Sequence, residues 1–100
     1  MQMQRSELLD VIKALQPRLE AEGVDHLALF GSRARGDNKP ASDLDLLIEV
    51  DQARQFSLLD LIGVEHIVEN ATGMSANAVM RRSLKRDFAT AIAKDVIEIF

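Results

Sequence analysis

The sequence predicts an α/β (α+β) protein in which helices pack on one mixed β-sheet of about four strands. Apolar residues recur at helical spacing near the N-terminus and in two later segments. Between them lie short runs rich in Val, Ile, Leu and Phe, which are typical of strands. The resulting order of elements is α-β-β-α-β-α-β. We expect one domain over residues 1–100, because a chain of 100 residues has no room for a second globular unit.

Composition narrows the classes of function. Apolar residues make up 47% of the chain and charged residues 28%, which is the balance of a globular protein. No segment approaches the ~20 apolar residues of a membrane span, and no signal peptide is seen, so we expect a cytoplasmic protein without a membrane partner. The absence of cysteine agrees with a reducing compartment. A net charge of −4 and aromatic residues limited to four Phe argue against a nucleic-acid partner.

The N-terminal segment predicts a helix over residues 4–22. Its apolar residues repeat every three or four positions, and Ser6 is a plausible N-cap. Pro17 should kink this helix or start a new turn, and Gly23 should end it.

Two strands and a turn follow. Residues 24–30 predict a strand that runs into Gly31 and Ser32, followed by a short helix over 32–35 and a loop over 36–42. Residues 43–50 predict a second strand. In a strand, alternate side chains share a face, which would place Asp43, Asp45 and Glu49 on one side together with Leu47.

The second half of the chain predicts two more helices and two more strands. Residues 56–70 predict a helix that begins with a capping box of Ser57 and Asp60. Glu65 and Glu69 lie one helical turn apart on it, and we expect them on a solvated face. Short strands are expected at 76–80 and 96–100. Between them a helix is expected from the spacing of Leu84, Phe88 and Ile92.

Gly31 and Ser32 form a turn that can hold a phosphate. Glycine lets the backbone approach a ligand closely, and the N–H groups at the start of the following helix favour an anion. The Ser32 hydroxyl can add a further donor. By itself the pair is also consistent with an ordinary strand-to-helix turn.

Asp43 and Asp45 form a pair of carboxylates that can hold a divalent metal. Two residues apart on a strand, both point the same way, and Mg²⁺ is commonly bound by one or two carboxylates together with phosphate oxygens. The alternative is a helix start, because Ser42 and Asp45 also fit a capping box. The following L-L-I-E-V favours the strand. A phosphate turn and a metal pair at fixed separation are together what Mg-ATP requires.

The segment F-G-S-R-A-R-G-D-N-K-P-A-S-D-L-D-L-L-I-E-V, residues 30–50, closely resembles the minimal nucleotidyltransferases of the DNA polymerase β superfamily. The resemblance extends over nearly the whole chain and includes the helix with Pro17 and the ending D-V-I-E-I. It implies the nucleotidyltransferase fold. It also implies that Ser32 contacts the triphosphate of ATP and that Asp43 and Asp45 hold Mg²⁺ as catalytic ligands. Gly31 belongs to the same nucleotide-binding turn, and Arg33 and Arg35 flank it as further nucleotide-binding candidates, with helix-surface charge as their alternative.

One position departs from the family pattern. The resemblance implies a third catalytic carboxylate on a neighbouring strand, and the matching position holds Asn77. An amide cannot act as a base, and losing a general base typically costs a factor of ~10²–10⁴ in rate. Glu49 is expected to lie too far from Asp45 to replace the missing carboxylate, and Glu98 on the last strand is a remote candidate.

Members of this class resemble antitoxins that pair with HEPN-domain toxins, and some transfer AMP from ATP to a tyrosine of the toxin. The resemblance therefore implies a protein adenylyltransferase with a HEPN-type toxin as partner, in a homo- or hetero-oligomer. The alternative is an antitoxin that neutralises its toxin by direct binding, with catalysis impaired at Asn77. A third interpretation, a lone ATP-sensing or structural domain in an oligomer, belongs to a different class of function.

Overall fold

The computed structural model describes residues 3–100, and the predicted order of helices and strands is confirmed. The helices and strands have these bounds: α1 Arg5–Lys13, α2 Gln16–Ala21, β1 Val24–Phe30, α3 Ser32–Arg35, β2 Leu44–Val50, α4 Leu58–Thr72, β3 Ala76–Met80, α5 Arg86–Ile92 and β4 Ile97–Glu98. Two 3₁₀ turns, Arg81–Ser83 and Ala93–Asp95, flank α5. Within residues 3–100, none of these helices has the length and apolar character needed to cross a bilayer.

The predicted N-terminal helix is divided into two. Pro17 lies in the first turn of α2, where its missing N–H is not needed, so the break between α1 and α2 falls just before it. The prediction that Ser6 caps the first helix is wrong, because α1 begins after Gln4 and Ser6 lies inside it. Gly23 follows α2 with a φ of +107°, which lets the chain turn into β1.

One mixed sheet is formed, as predicted, with the strand order β3-β2-β1-β4. The central strand β1 is antiparallel to both β2 and β4. The edge strand β3 is parallel to β2. This arrangement brings the end of β1 next to the starts of β2 and β3, so three strands contribute to the same edge of the sheet.

The two faces of β2 differ, as its alternating sequence predicted. Its apolar side chains on one face are almost fully buried: Leu44, Leu46, Ile48 and Val50. They pack with residues of α1, α2 and α4 in the larger core. Leu47 lies on the other face, in a smaller cluster with Ala28 and Phe30. Phe88 of α5 approaches Phe30 edge to face, with ring centroids 6.1 Å apart, so α5 covers part of this second face.

Helix α4 covers the outer edge of β3. Its predicted capping box is confirmed, with Ser57 accepting from the N–H of Asp60. The expectation that Glu65 and Glu69 lie on a solvated face is wrong. The carboxylate of Glu69 accepts from the N–H of Ala76 at 3.0 Å, and that of Glu65 accepts from the N–H of Ala78 at 2.7 Å. These N–H groups point away from β2, so the two glutamates satisfy the edge of the sheet and fix where β3 lies.

Candidate active site

The sheet register brings the predicted site residues together. Phe30 of β1 pairs with Asp45 of β2, and Asp45 pairs with Asn77 of β3. Neighbouring strands lie about 4.8 Å apart, so these backbones are adjacent. Gly31 directly follows β1, and Asp43 directly precedes β2. The end of β1 and the starts of β2 and β3 therefore bring the glycine-serine turn, both aspartates and Asn77 together at one end of the sheet.

Gly31 is required by its contact with Asp45. Its φ is +79°, in the region that favours glycine. A Cβ at this position would collide with the Oδ2 atom of Asp45. The backbone therefore touches the carboxylate, and no other residue fits there without displacing it. The carbonyl of Gly31 accepts from Ala34 and Arg35, which closes the turn into α3.

Asp45 is partly buried, and this changes its titration. Burial raises the pKa of its carboxyl above the ordinary value, the negative charge of Asp43 raises that pKa further, and Arg35 acts in the opposite direction. Asp43 is exposed at the rim of the site. Asp43 and Asp45 are two residues apart at the start of β2, and such a pair of carboxylates favours a cation between or beside them.

Asn77 is hydrogen-bonded to Asp43, one of the two aspartates of the site. Its Nδ2 donates to the Oδ2 of Asp43 across 3.1 Å. The residue is exposed. The structure therefore places an amide where the family resemblance implies a third carboxylate, and this amide serves as a donor to an existing carboxylate.

Arg33 and Arg35 have different surroundings. Arg33 is only 5% exposed, and its guanidinium donates to the carbonyls of Ser42 (2.8 Å) and Pro40 (3.2 Å). It thereby holds the loop that leads into Asp43. Arg35 is exposed and donates to the carboxylates of Asp37 and Asp95. Direct contact of either arginine with a nucleotide stays a prediction.

One contributor was not predicted from the sequence. Arg5 of α1 donates from Nη1 to the carbonyl of Ala34, 2.8 Å away, and so fastens the first helix to the phosphate turn. Nothing in the sequence pattern distinguishes Arg5 from a surface arginine, because its acceptor lies 29 residues along the chain.

Glu49 and Glu98, the two candidates to replace the third carboxylate, lie away from the site on this sheet face. Arg81 donates to Glu49 at 3.3 Å and to Glu98 at 2.9 Å, so both are paired with the same guanidinium. Glu49 lies beyond Leu47 from Asp45, and Glu98 lies on β4 with β1 between it and β2, so neither is brought to the site, as expected for Glu49. Within residues 3–100, no group of three or more acidic, histidine or cysteine side chains could hold a metal ion.

The residues of the site fit a divalent cation that arrives with phosphate oxygens. Two carboxylates supply hard oxygen ligands, and a glycine turn packed against one of them leaves room for a ligand to approach closely. A polar cleft of about 310 Å³ opens beside Asp43, between the loop that Arg33 holds and the α4–β3 connection. The arrangement can therefore bind a triphosphate at Gly31 and Ser32 with its cation at Asp43 and Asp45.

A mixed sheet with a glycine-serine turn at the end of one strand and paired aspartates at the start of the next defines a nucleotidyltransferase. The comparison with known families agrees: the family described as "Nucleotidyltransferase domain" matches residues 5–99. The chain belongs to this family, as the resemblance of residues 30–50 predicted.

Similar proteins point to the minimal members of the family. The chain is 32% identical over 94 residues to the protein adenylyltransferase MntA of Thermococcus cleftensis, covering 93% of each chain. A solved structure described as that of a minimal nucleotidyltransferase superposes with a TM-score of 0.79 at 27% identity, over 95% of both chains. A complex of a tri-AMPylated Shewanella oneidensis HEPN toxin with an MNT antitoxin has a TM-score of 0.65 at 13% identity, covering 92% of this chain and 71% of that one. At that identity the likeness concerns the fold alone.

Proposed function

We propose that this chain is an antitoxin-type protein adenylyltransferase that transfers AMP from Mg-ATP to a tyrosine of a HEPN-type toxin. The observation that carries the proposal is the contact of Gly31 with the carboxylate of Asp45, which joins the phosphate turn to the metal-binding pair. The similarity to an MntA protein adenylyltransferase over nearly the full length of both chains supports the same activity.

In this proposal each residue has a separate task. Gly31 and Ser32 bind the triphosphate, and Asp43 and Asp45 hold Mg²⁺ against it. The bound cation would neutralise charge on the phosphates as the leaving pyrophosphate departs. The acceptor oxygen forms a bond to the α-phosphorus, and the bond from that phosphorus to the oxygen that bridges to the β-phosphate breaks. Pyrophosphate leaves with that oxygen, and the proton of the acceptor hydroxyl passes to solvent water. Asn77 cannot take the acceptor proton, because an amide has no basic site at neutral pH.

In this proposal the acceptor hydroxyl lies on another protein, and the complex of the two proteins positions it at the site. The AMP-modified HEPN toxin in the structurally similar complex makes a toxin hydroxyl the natural candidate.

The test is to mix the chain with ATP, Mg²⁺ and a HEPN-domain protein that forms a complex with it, and to measure the intact mass of that protein. We expect the added mass of AMP on a tyrosine, and none in EDTA. Asp43→Asn and Asp45→Asn should each reduce transfer by at least about 100-fold, because they remove cation ligands without changing side-chain size. The matched control is Asp10→Asn, the same change at an exposed position on α1. No AMP transfer with any divalent cation would contradict the proposal.

A second function is neutralisation by direct binding. The donation from Asn77 to Asp43, in place of a third carboxylate, favours it. It predicts that a variant carrying both Asp43→Asn and Asp45→Asn still forms the complex and still blocks the toxin. Size-exclusion chromatography and a toxicity assay distinguish the two functions. A complex that persists while neutralisation is lost would support AMP transfer and exclude neutralisation by contact.

A further inference from the structure

The amide of Asn77 has a defined orientation towards the site. An ionised carboxylate can only accept hydrogen bonds, so the group that faces Oδ2 of Asp43 at 3.1 Å must be the amide nitrogen and its hydrogens. The side of Asp43 nearest β3 therefore meets the positive end of an amide dipole. A cation on that side would have to displace this donor.

The rest of the sheet face offers no replacement ligand. Glu49 and Glu98 lie on the same face as Asp45, but the guanidinium of Arg81 bonds to both. Moving either carboxylate to the site would leave Arg81 without that partner. In the described part of the chain, no cluster of three metal-binding side chains exists. The site thus has two carboxylates as its charged ligands, and Asn77 adds only a neutral amide.

We propose that this site binds a single divalent cation together with the triphosphate, and that Asn77 supplies the balancing positive dipole that a second cation would otherwise supply. The inference rests on the proposed nucleotide-binding function. Two-cation sites hold their ions about 3.5–4 Å apart, and repulsion between the ions must be offset by several carboxylates. Asp43 and Asp45 offset one cation, and Asn77, a neutral amide bonded to Asp43, adds no negative charge to offset a second.

The same arrangement holds the site in place before any cation binds. Two neighbouring carboxylates repel each other, and the donor from Asn77 reduces that repulsion at Asp43. Asn77→Asp would replace the donor with a third negative charge. The variant should lose stability without metal and gain the ligand for a second cation.

The experiment counts Mn²⁺ on the chain saturated with an ATP analogue whose α–β phosphate linkage cannot be cleaved. Equilibrium dialysis gives the number of ions bound, and electron paramagnetic resonance distinguishes an isolated ion from a spin-coupled pair. We expect one isolated Mn²⁺ in the wild type and a coupled pair in Asn77→Asp. Asn70→Asp is the matched control, since it adds the same charge at an exposed position of α4, and it should bind one ion like the wild type.

Thermal unfolding in EDTA supplies a readout independent of bound metal. Asn77→Asp should melt several degrees below the wild type, and Mn²⁺ with the analogue should reverse the difference. Asn77→Ala, which lacks the donor but adds no charge, should melt lower in EDTA and still bind one ion.

The numbers of Mn²⁺ ions bound to the wild type and to Asn77→Asp test the single-cation inference and the role of Asn77 separately. Two ions in the wild type would overturn the single-cation inference and leave nucleotide binding intact. One ion in both the wild type and Asn77→Asp would overturn the role given to Asn77. Failure of the wild type to bind the analogue with Mn²⁺ would overturn the proposed function and this inference with it. The wild-type count stands even if a variant does not fold.

Discussion

The two faces of β2 carry different kinds of residues for different purposes. On one face, Leu46 and Ile48 are fully buried beneath α1, α2 and α4. On the other, Asp45 and Glu49 remain partly accessible on either side of Leu47, which packs with residues in and around α5. One strand therefore stabilises the fold with one face and holds charged groups with the other. Substitutions on each face test whether stability and the site can be changed separately.

The largest expected effect on stability is on the core face. Leu46→Ala should lower the free energy of unfolding by about 2–5 kcal/mol, because it leaves a cavity where no water can enter. Leu47→Ala should cost less, under about 2 kcal/mol, because Leu47 already borders an open groove of about 270 Å³. Urea denaturation of both variants measures the difference. Equal losses would show that the second face is packed as tightly as the first.

A change at Gly31 should lower both the stability of the fold and the binding of nucleotide. Gly31→Ala combines a strained φ with a collision against the Asp45 carboxylate, so we expect a loss of about 1–3 kcal/mol together with loss of nucleotide binding. Gly63→Ala is the matched control. Its Cβ would meet no atom within 4 Å in α4, and it should stabilise the chain by roughly 0.5–1 kcal/mol. Calorimetric titration with an ATP analogue and thermal unfolding report on the two properties, and unchanged binding by Gly31→Ala would refute the proposed contact.

Glu69 of α4 holds β3 beside the site through the N–H of Ala76. Glu69→Gln keeps an oxygen acceptor for the N–H of Ala76 but removes its charge, so we expect a loss of about 1 kcal/mol. Hydrogen exchange at Ala76 should become faster, with a smaller change at Ala78. The exposed Glu22→Gln serves as the control. Unaltered exchange at both amides would mean that α4 does not hold the strand through this bond.

The smallest expected effect on stability is on the site face of β2, and it is a gain in stability rather than a loss. Burial, and then the charge of Asp43, raise the pKa of Asp45 above its ordinary value of 3.8. The folded state therefore favours the protonated form, so stability is greater below that value and falls as pH rises through the raised pKa. Asp45→Asn removes this fall. In EDTA at neutral pH it should be more stable than the wild type, with little difference at low pH, and urea denaturation across pH checks this. If Asp45→Asn is less stable than the wild type at neutral pH, the ionised carboxylate of Asp45 does not destabilise the fold.

Much of the fold follows from local patterns. The alternation from Leu44 to Val50 predicts both the strand and the division of its faces, since side-chain direction alternates along any strand. The capping box of Ser57 and Asp60 is likewise a local signal, and the structure contains it. The sequence predicts one site for the glycine-serine turn and the two aspartates, and the structure adds the contact of Gly31 with Asp45. Its physical cause is the register that pairs Phe30 with Asp45.

The remaining features depend on contacts between distant segments. Glu65 and Glu69 are one helical turn apart, which is typical of a solvated face, and only the docking of α4 against β3 reveals their acceptor role. The same holds for Arg33, whose burial depends on where the loop before Asp43 folds back. The donation from Asn77 to Asp43 joins residues 34 positions apart and requires β3 to lie parallel to β2. No sequence periodicity encodes such pairs.

The glutamates that cover β3 also limit how other chains can associate with this one. An uncovered edge strand invites a foreign strand to pair with it, which leads to aggregation or to recruitment of an extended peptide. Here the outward N–H groups of Ala76 and Ala78 are already bonded, and the opposite edge is the two-residue strand Ile97–Glu98. Both edges are therefore less available for pairing with a foreign strand. A partner must then dock on helices, loops or the open sheet face, where its side chains can reach Asp45.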